Sequence, residues 1–136
     1  MTDKFLIKDI ESFYIIYASD VVTTDGVDVF LDDMPDSPDN CVSILEFSGF
    51  TDFTSDVSNR SIQVMVRNTD YETARKDIWA LFDLVYKPED DIRIVYFTVT
   101  RWGIVKARNT PYLLHRDESG RSIFMFIMGI VTHRDE

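Results

Sequence analysis

Apolar and polar side chains alternate from Ser61 to Arg67, with Ile62, Val64 and Val66 on one side and Gln63, Met65 and Arg67 on the other. A period of two over seven residues predicts a half-buried strand. The period then changes. Tyr71, Ala74, Ile78, Leu81, Phe82 and Val85 recur at spacings of three and four, which predicts a helix with one face to bury. Thr69 and Glu72 fit a capping box at its start, and Lys87-Pro88 ends it because proline disfavours a helical residue before it. At roughly 1.5 Å per residue this helix is about 25 Å long, enough to cross a small sheet.

Other segments follow the same logic. Asp3 to Ala18 is expected to be a helix, with Leu6, Ile10, Phe13 and Tyr17 at helical spacing. Its additional apolar residues, Ile7, Tyr14, Ile15 and Ile16, widen the stripe, so its far side is either deeply buried or met by another subunit. Val27 to Leu31 and Cys41 to Phe47 are expected strands. Between them, Met34 to Asn40 carries two prolines and is expected to be a loop. Ser48 to Asn59 is polar and long, the composition of a partner-contacting connection. Ile92 to Thr100 and Trp102 to Arg108 predict a strand that continues or pairs with itself around Gly103. Asn109-Thr110-Pro111 breaks it, and Tyr112 to Arg116 and Arg121 to Val131 form a hairpin across Asp117 to Gly120. The last strand is apolar on both faces, so it must be central and covered on both sides. The expected fold is α+β, one domain with a mostly antiparallel β-sheet on which an N-terminal helix and a central helix pack.

Composition adds less than charge. A chain of 136 residues that is 45% apolar has enough to build a core. No apolar run reaches the roughly 18 residues of a membrane span, and the acids near Met1 are unlike a signal peptide, so a soluble cytosolic product is expected. Cys41 is the sole cysteine and sits in an apolar run, the place of a small buried hydrophobe. Residues 1–60 hold 3 Lys/Arg against 13 Asp/Glu, whereas residues 61–136 hold 11 against 11. An acidic surface argues against direct nucleic-acid binding. It suits a surface that lets DNA pass, one that docks a basic partner, or a solvated loop.

Candidate chemistry is sparse. His115 and His133 stand at strand ends without a third ligand. Asp25, Asp28, Asp32, Asp33, Asp36 and Asp39 crowd together but lack the glycine and glutamate spacing of a calcium loop. No phosphate-binding glycine loop or nucleophile elbow occurs, so no catalytic residue, metal or cofactor is expected.

Three blocks in order resemble the small minor capsid or tail-terminator proteins of tailed bacteriophages. They are the Pro-Asp-x-Pro-Asp loop at Pro35 to Asp39, the Ile-Gln-Val-x-Val-Arg strand at Ile62 to Arg67 with the Tyr-x-x-Ala helix at Tyr71 to Ala74, and the hairpin from Pro111 to Arg121. The N-terminal helix is generic by comparison, and residues 89–108 are longer than the pattern, an elaboration of this chain. The resemblance implies an α+β fold, no enzymatic activity or cofactor, and a place at the head-tail junction of the virion after synthesis in the host cytoplasm. It implies a hexameric ring that caps the tail-tube protein, meets a neck or head-completion protein, and passes DNA without binding it specifically. The first helix and the sheet edge are the expected subunit contact. Arg67, Arg75, Arg116 and Arg121 would make polar contacts between subunits or pair internally with Asp70, Asp77 and Asp117. Phe50 and Phe53, in the Ser48 to Asn59 segment, would touch a subunit or the tail tube. Asp32, Asp33, Asp36 and Asp39 would face the lumen. A stopper protein of the neck and an acidic immunity or antitoxin protein remain alternatives.

Overall fold

The computed structural model describes residues 6–51, 57–86, 93–96 and 102–133. In chain order they form α1 (Leu6–Tyr17), β1 (Val29–Leu31), β2 (Cys41–Thr51), β3 (Val57–Asn68), α2 (Tyr71–Val85), β4 (Arg93–Tyr96), β5 (Trp102–Ala107), β6 (Tyr112–Arg116) and β7 (Ser122–His133). One sheet runs in the order β1-β2-β3-β7-β5-β4, with β6 also on β7. The expected α+β class is what the chain adopts. The pairing is antiparallel throughout except that β1 lies parallel to β2.

β7 is the spine. β3 pairs along its whole length, from Asn68 opposite Ser122 to Val57 opposite His133. Its other edge is shared: β6 takes the first residues, up to Met125, and β5 takes Met128 to Thr132. The Asn109 break closes the gap between them. Asn109 Oδ1 accepts from the Ile127 N–H at 2.8 Å, and the Arg108 N–H donates to the Ile127 carbonyl at 2.8 Å. A side-chain amide thus satisfies a ladder group that a central strand would otherwise leave unpaired.

Alternation sorts the two faces. Ile62, Val64 and Val66 of β3 and Phe124, Phe126, Met128 and Ile130 of β7 are buried beneath the helices. α2 brings Ala74, Ile78, Leu81, Phe82 and Val85 to this core, as its stripe predicts, and Phe82 meets Phe126 edge to face at 5.5 Å. α1 lies beside it over β1 and β2, and the buried Tyr14 hydroxyl donates to the Leu81 carbonyl at 3.2 Å. Both helices therefore share one face. Among the described residues no helix is long and apolar enough to cross a membrane.

Several expectations are corrected. The cap of α2 is Asp70, not Thr69: Asp70 accepts from the Thr73 N–H at 3.2 Å, while Asn40 Oδ1 takes the Thr69 N–H at 3.0 Å. An ionised carboxylate caps as well as a hydroxyl, and a contact from a distant loop decides between them. In α1 the buried position is Tyr14, whereas Tyr17 is 63% exposed. The long connection is mostly strand. Beyond an irregularity after Phe47, β2 and β3 continue to pair at Phe50–Asn59 and Thr51–Ser58. Only residues 52–56, including Phe53, lie outside the described part of it. Finally, β4 and β5 pair as a hairpin, so the region after α2 holds four strands.

The clamped acidic loop and the family of the chain

Residues 32–40 join two parallel neighbours, so they must carry the chain back to the start of β2. They do so over the face of the sheet opposite the helices. Pro35 and Pro38 offer carbonyls without N–H groups, and the Ser37–Pro38 peptide is cis. Those carbonyls need donors. Arg67, which points away from the helices because its neighbour Val66 points toward them, supplies three. Its Nη2 donates to the carbonyls of Pro35 at 2.5 Å and Pro38 at 2.6 Å, and its Nε to that of Asp39 at 3.1 Å. The residue is 3% exposed.

A second arginine completes the hold. Arg121 Nη1 donates to the Asp36 carbonyl at 2.5 Å and to Asp39 Oδ1 at 3.2 Å, while its Nε reaches Asp117 Oδ2 at 2.7 Å. Desolvation opposes the charge of Asp117, but the Arg121 N–H groups and charge, with the Ser119 N–H, hold its carboxyl below the usual range. Ser43 Oγ donates to the Asp33 carbonyl, and the Glu46 N–H donates to Asp32 Oδ1 at 3.0 Å. Asp32 has a φ of +55°, a left-handed conformation that aspartate tolerates. Beneath the loop lies Cys41, whose thiol burial pushes up, partly offset by the two arginines.

The outcome is a fixed loop with an acidic outer surface. Asp32, Asp33, Asp36 and Asp39 are all exposed, which by itself does not place them at a lumen, and Asp32 and Asp39 also accept hydrogen bonds from the Glu46 N–H and from Arg121. A groove of about 690 Å³ runs beside them, floored by Met34, Met65 and Ile123 and rimmed by Asp36, His115 and Glu118. His115 stands opposite Ile123, whereas His133 is at the far end of β7, so the two histidines are separated by the length of the strand. Among the described residues no three His, Cys, Asp or Glu gather as a metal set.

The nominated residues divide. Arg67 and Arg121 are buried and spend their donors inside the chain, Arg121 on the Asp117 partner expected for it. Arg75 is exposed on α2, and Arg116 is exposed with its guanidinium carbon 5.4 Å from the centre of the Tyr71 ring. Phe50 falls within β2, and Phe53 lies outside the described residues. The carbonyl cage around Arg67 was missed by sequence reasoning. Its signal was present, because two prolines in a short loop imply acceptors in search of a buried donor.

One further titratable group stands out. Glu11 on α1 is 7% exposed, and its Oε2 has no hydrogen-bond partner. Burial, and then the hydrogen bond and charge of Asp25, push its pKa up from 4.5 to about 7, against a lowering by Lys8. A carboxyl whose pKa rises on folding holds its proton more tightly in the folded state. Stability is therefore expected to fall as pH rises between about 4.5 and 7. Glu11→Gln should flatten that fall in thermal melts across this window; an unchanged slope would assign it to other groups.

Three comparisons bear on identity. No curated protein matches the chain significantly. A chain from the virion of a native gene transfer agent particle is similar in structure, with a TM-score of 0.50, 19% identity, and coverage of 93% of this chain and 91% of that one. That likeness shows the fold. A family model described as bacteriophage tail terminator protein matches residues 18–131. The match takes in the clamped loop, both arginines and the whole sheet up to Val131, and on this ground the chain belongs to the bacteriophage tail terminator family, whose members are structural proteins of the virion.

Proposed function

We propose that this protein terminates the tail tube of a tailed phage as a closed, hexameric ring at the head-tail junction, with the tube protein on one side and a neck protein on the other. The observation that carries the reading is the family match over residues 18–131. The clamped loop supports it physically. A channel that conducts DNA must not hold it, and a wall of fixed carboxylates repels phosphate without an ordering cost at each passage. In this reading the loop face looks toward the lumen, Arg67 and Arg121 keep it rigid, Arg75 and Arg116 are polar contacts between copies, and the 48–59 segment with Phe50 and Phe53 meets the tube. A small acidic immunity protein would share the charge but not the family.

The test is direct. Purified protein added to polymerising tail-tube protein should arrest tube growth, and electron micrographs should show one ring at one end of each tube. Continued growth without decorated ends would overturn the proposal. Shortening the 52–56 segment should abolish capping and leave the melting temperature unchanged.

A further inference from the structure

Charge along the chain is more polarised than its total of −10 conveys. No lysine or arginine stands between Lys8 and Arg60, and no acid stands between Asp91 and Asp117, a stretch that holds Arg93, Arg101, Lys106, Arg108 and Arg116. The sheet order places the strands of these segments on opposite sides, while the 32–40 loop reaches across the face to Arg121. α1, β1 and β2 form one flank; β4, β5 and β6 form the other.

Each flank also exposes apolar side chains of its own. Ile16 (68%) and Tyr17 of α1, with Val27 ahead of β1, are uncovered beside Asp20 and Asp25 on the acidic flank. On the basic flank Ile94, Tyr96 (65%) and Trp102 are uncovered, and β6 is exposed throughout. Among the described residues β4 has a single strand neighbour. Exposed apolar side chains gathered on one flank mark a surface that meets another chain.

We propose that the basic flank of one copy, β4–β6, docks on the acidic flank of the next, α1 and the loop before β1. The inference rests on the ring reading and names the surfaces that build it. Two different patches on opposite sides of one subunit make a head-to-tail contact, and a head-to-tail contact that closes makes a ring. Opposite charge sets the order, because acid against acid or base against base would be repulsive. The contact is between side chains, since the Gly26 N–H already donates to the Val29 carbonyl at 2.9 Å on the outer edge of β1.

The experiment is a charge exchange read by light scattering. One variant carries Asp20→Lys and Asp25→Lys; the other carries Lys106→Glu and Arg116→Glu. Each alone should assemble about a hundredfold more weakly than the parent, and an equimolar mixture should recover rings of alternating composition. Ile16→Ser with Tyr17→Ser, both at exposed positions, should weaken assembly as well and decides the matter if a charge variant fails to fold. Wild-type assembly by any folded variant alone, or no recovery on mixing two folded ones, overturns these surfaces while leaving the ring. A parent protein that stays monomeric to about 1 mM and also leaves the ends of tail tubes bare overturns the ring reading itself; if it rings only tube ends, the charge exchange is read there by electron microscopy.

Discussion

Arg67→Ala is expected to lower the stability of the monomer by about 3–5 kcal/mol, the usual loss when one side of a buried, charge-assisted set is removed. Three carbonyls, from Pro35, Pro38 and Asp39, lose their donor at once, and the prolines leave the loop few ways to turn them toward water. For a chain of this size the melting temperature should fall by about 10–20 °C. Arg67→Lys should recover only a small part. An ammonium group is a point donor, whereas these acceptors are spread around both Nη2 and Nε of a planar fork. The check is the urea midpoint at constant slope; a loss below about 1 kcal/mol would show that the loop re-satisfies its carbonyls without the arginine.

Phe126→Ala is expected to cost about 3–5 kcal/mol by a different route, the cavity left in a core that cannot collapse around it. Phe126 is fully buried under α2, edge to face with Phe82, which itself contacts Trp79 and Tyr86. Its strand is held on both edges, so the backbone has little freedom to close the space. Near-ultraviolet circular dichroism should lose intensity as this aromatic group loosens, and chemical unfolding should start at lower urea. Phe126→Leu should restore more than half of the loss, because much of the removed volume returns. The Arg67 variant should differ in keeping that aromatic signal.

The main axis of the fold is legible in the residues. Alternation from Ser61 to Arg67, the stripe ending at Val85, and the two-sided apolar run of β7 each predict the element that forms, because each depends on contacts within one segment and one face. What escaped was long in range. Arg67 meets a carbonyl 32 residues away and Arg121 one 85 residues away, and no periodicity encodes either partner. The same cause moved the α2 cap to Asp70, since Asn40 claims Thr69. The parallel placement of β1 and the extension of β2 to Thr51 were hidden for a related reason: strand pairing is decided by the partner strand, and Ser, Thr and Gly in Ser48 to Thr51 read as loop until β3 is set beside them. The acids of the loop, Asp32, Asp33, Asp36 and Asp39, stand out in the composition, but their fixed placement does not.

Asn109 carries a consequence beyond its own hydrogen bond. By closing the ladder where β5 ends and β6 has yet to begin, it lets a single strand serve two masters, one at each end of its length. The β4–β5 hairpin hangs from the far half of β7, and the Pro111 to Arg121 hairpin, with its grip on the acidic loop, hangs from the near half. The two halves share a backbone and no turn. Residues 89–108 can therefore lengthen or change their surface to fit a different neighbour without altering the register at Arg121. In the proposed ring, such a division would leave one hairpin free to vary with its neighbours while the clamped loop keeps its place beside the lumen.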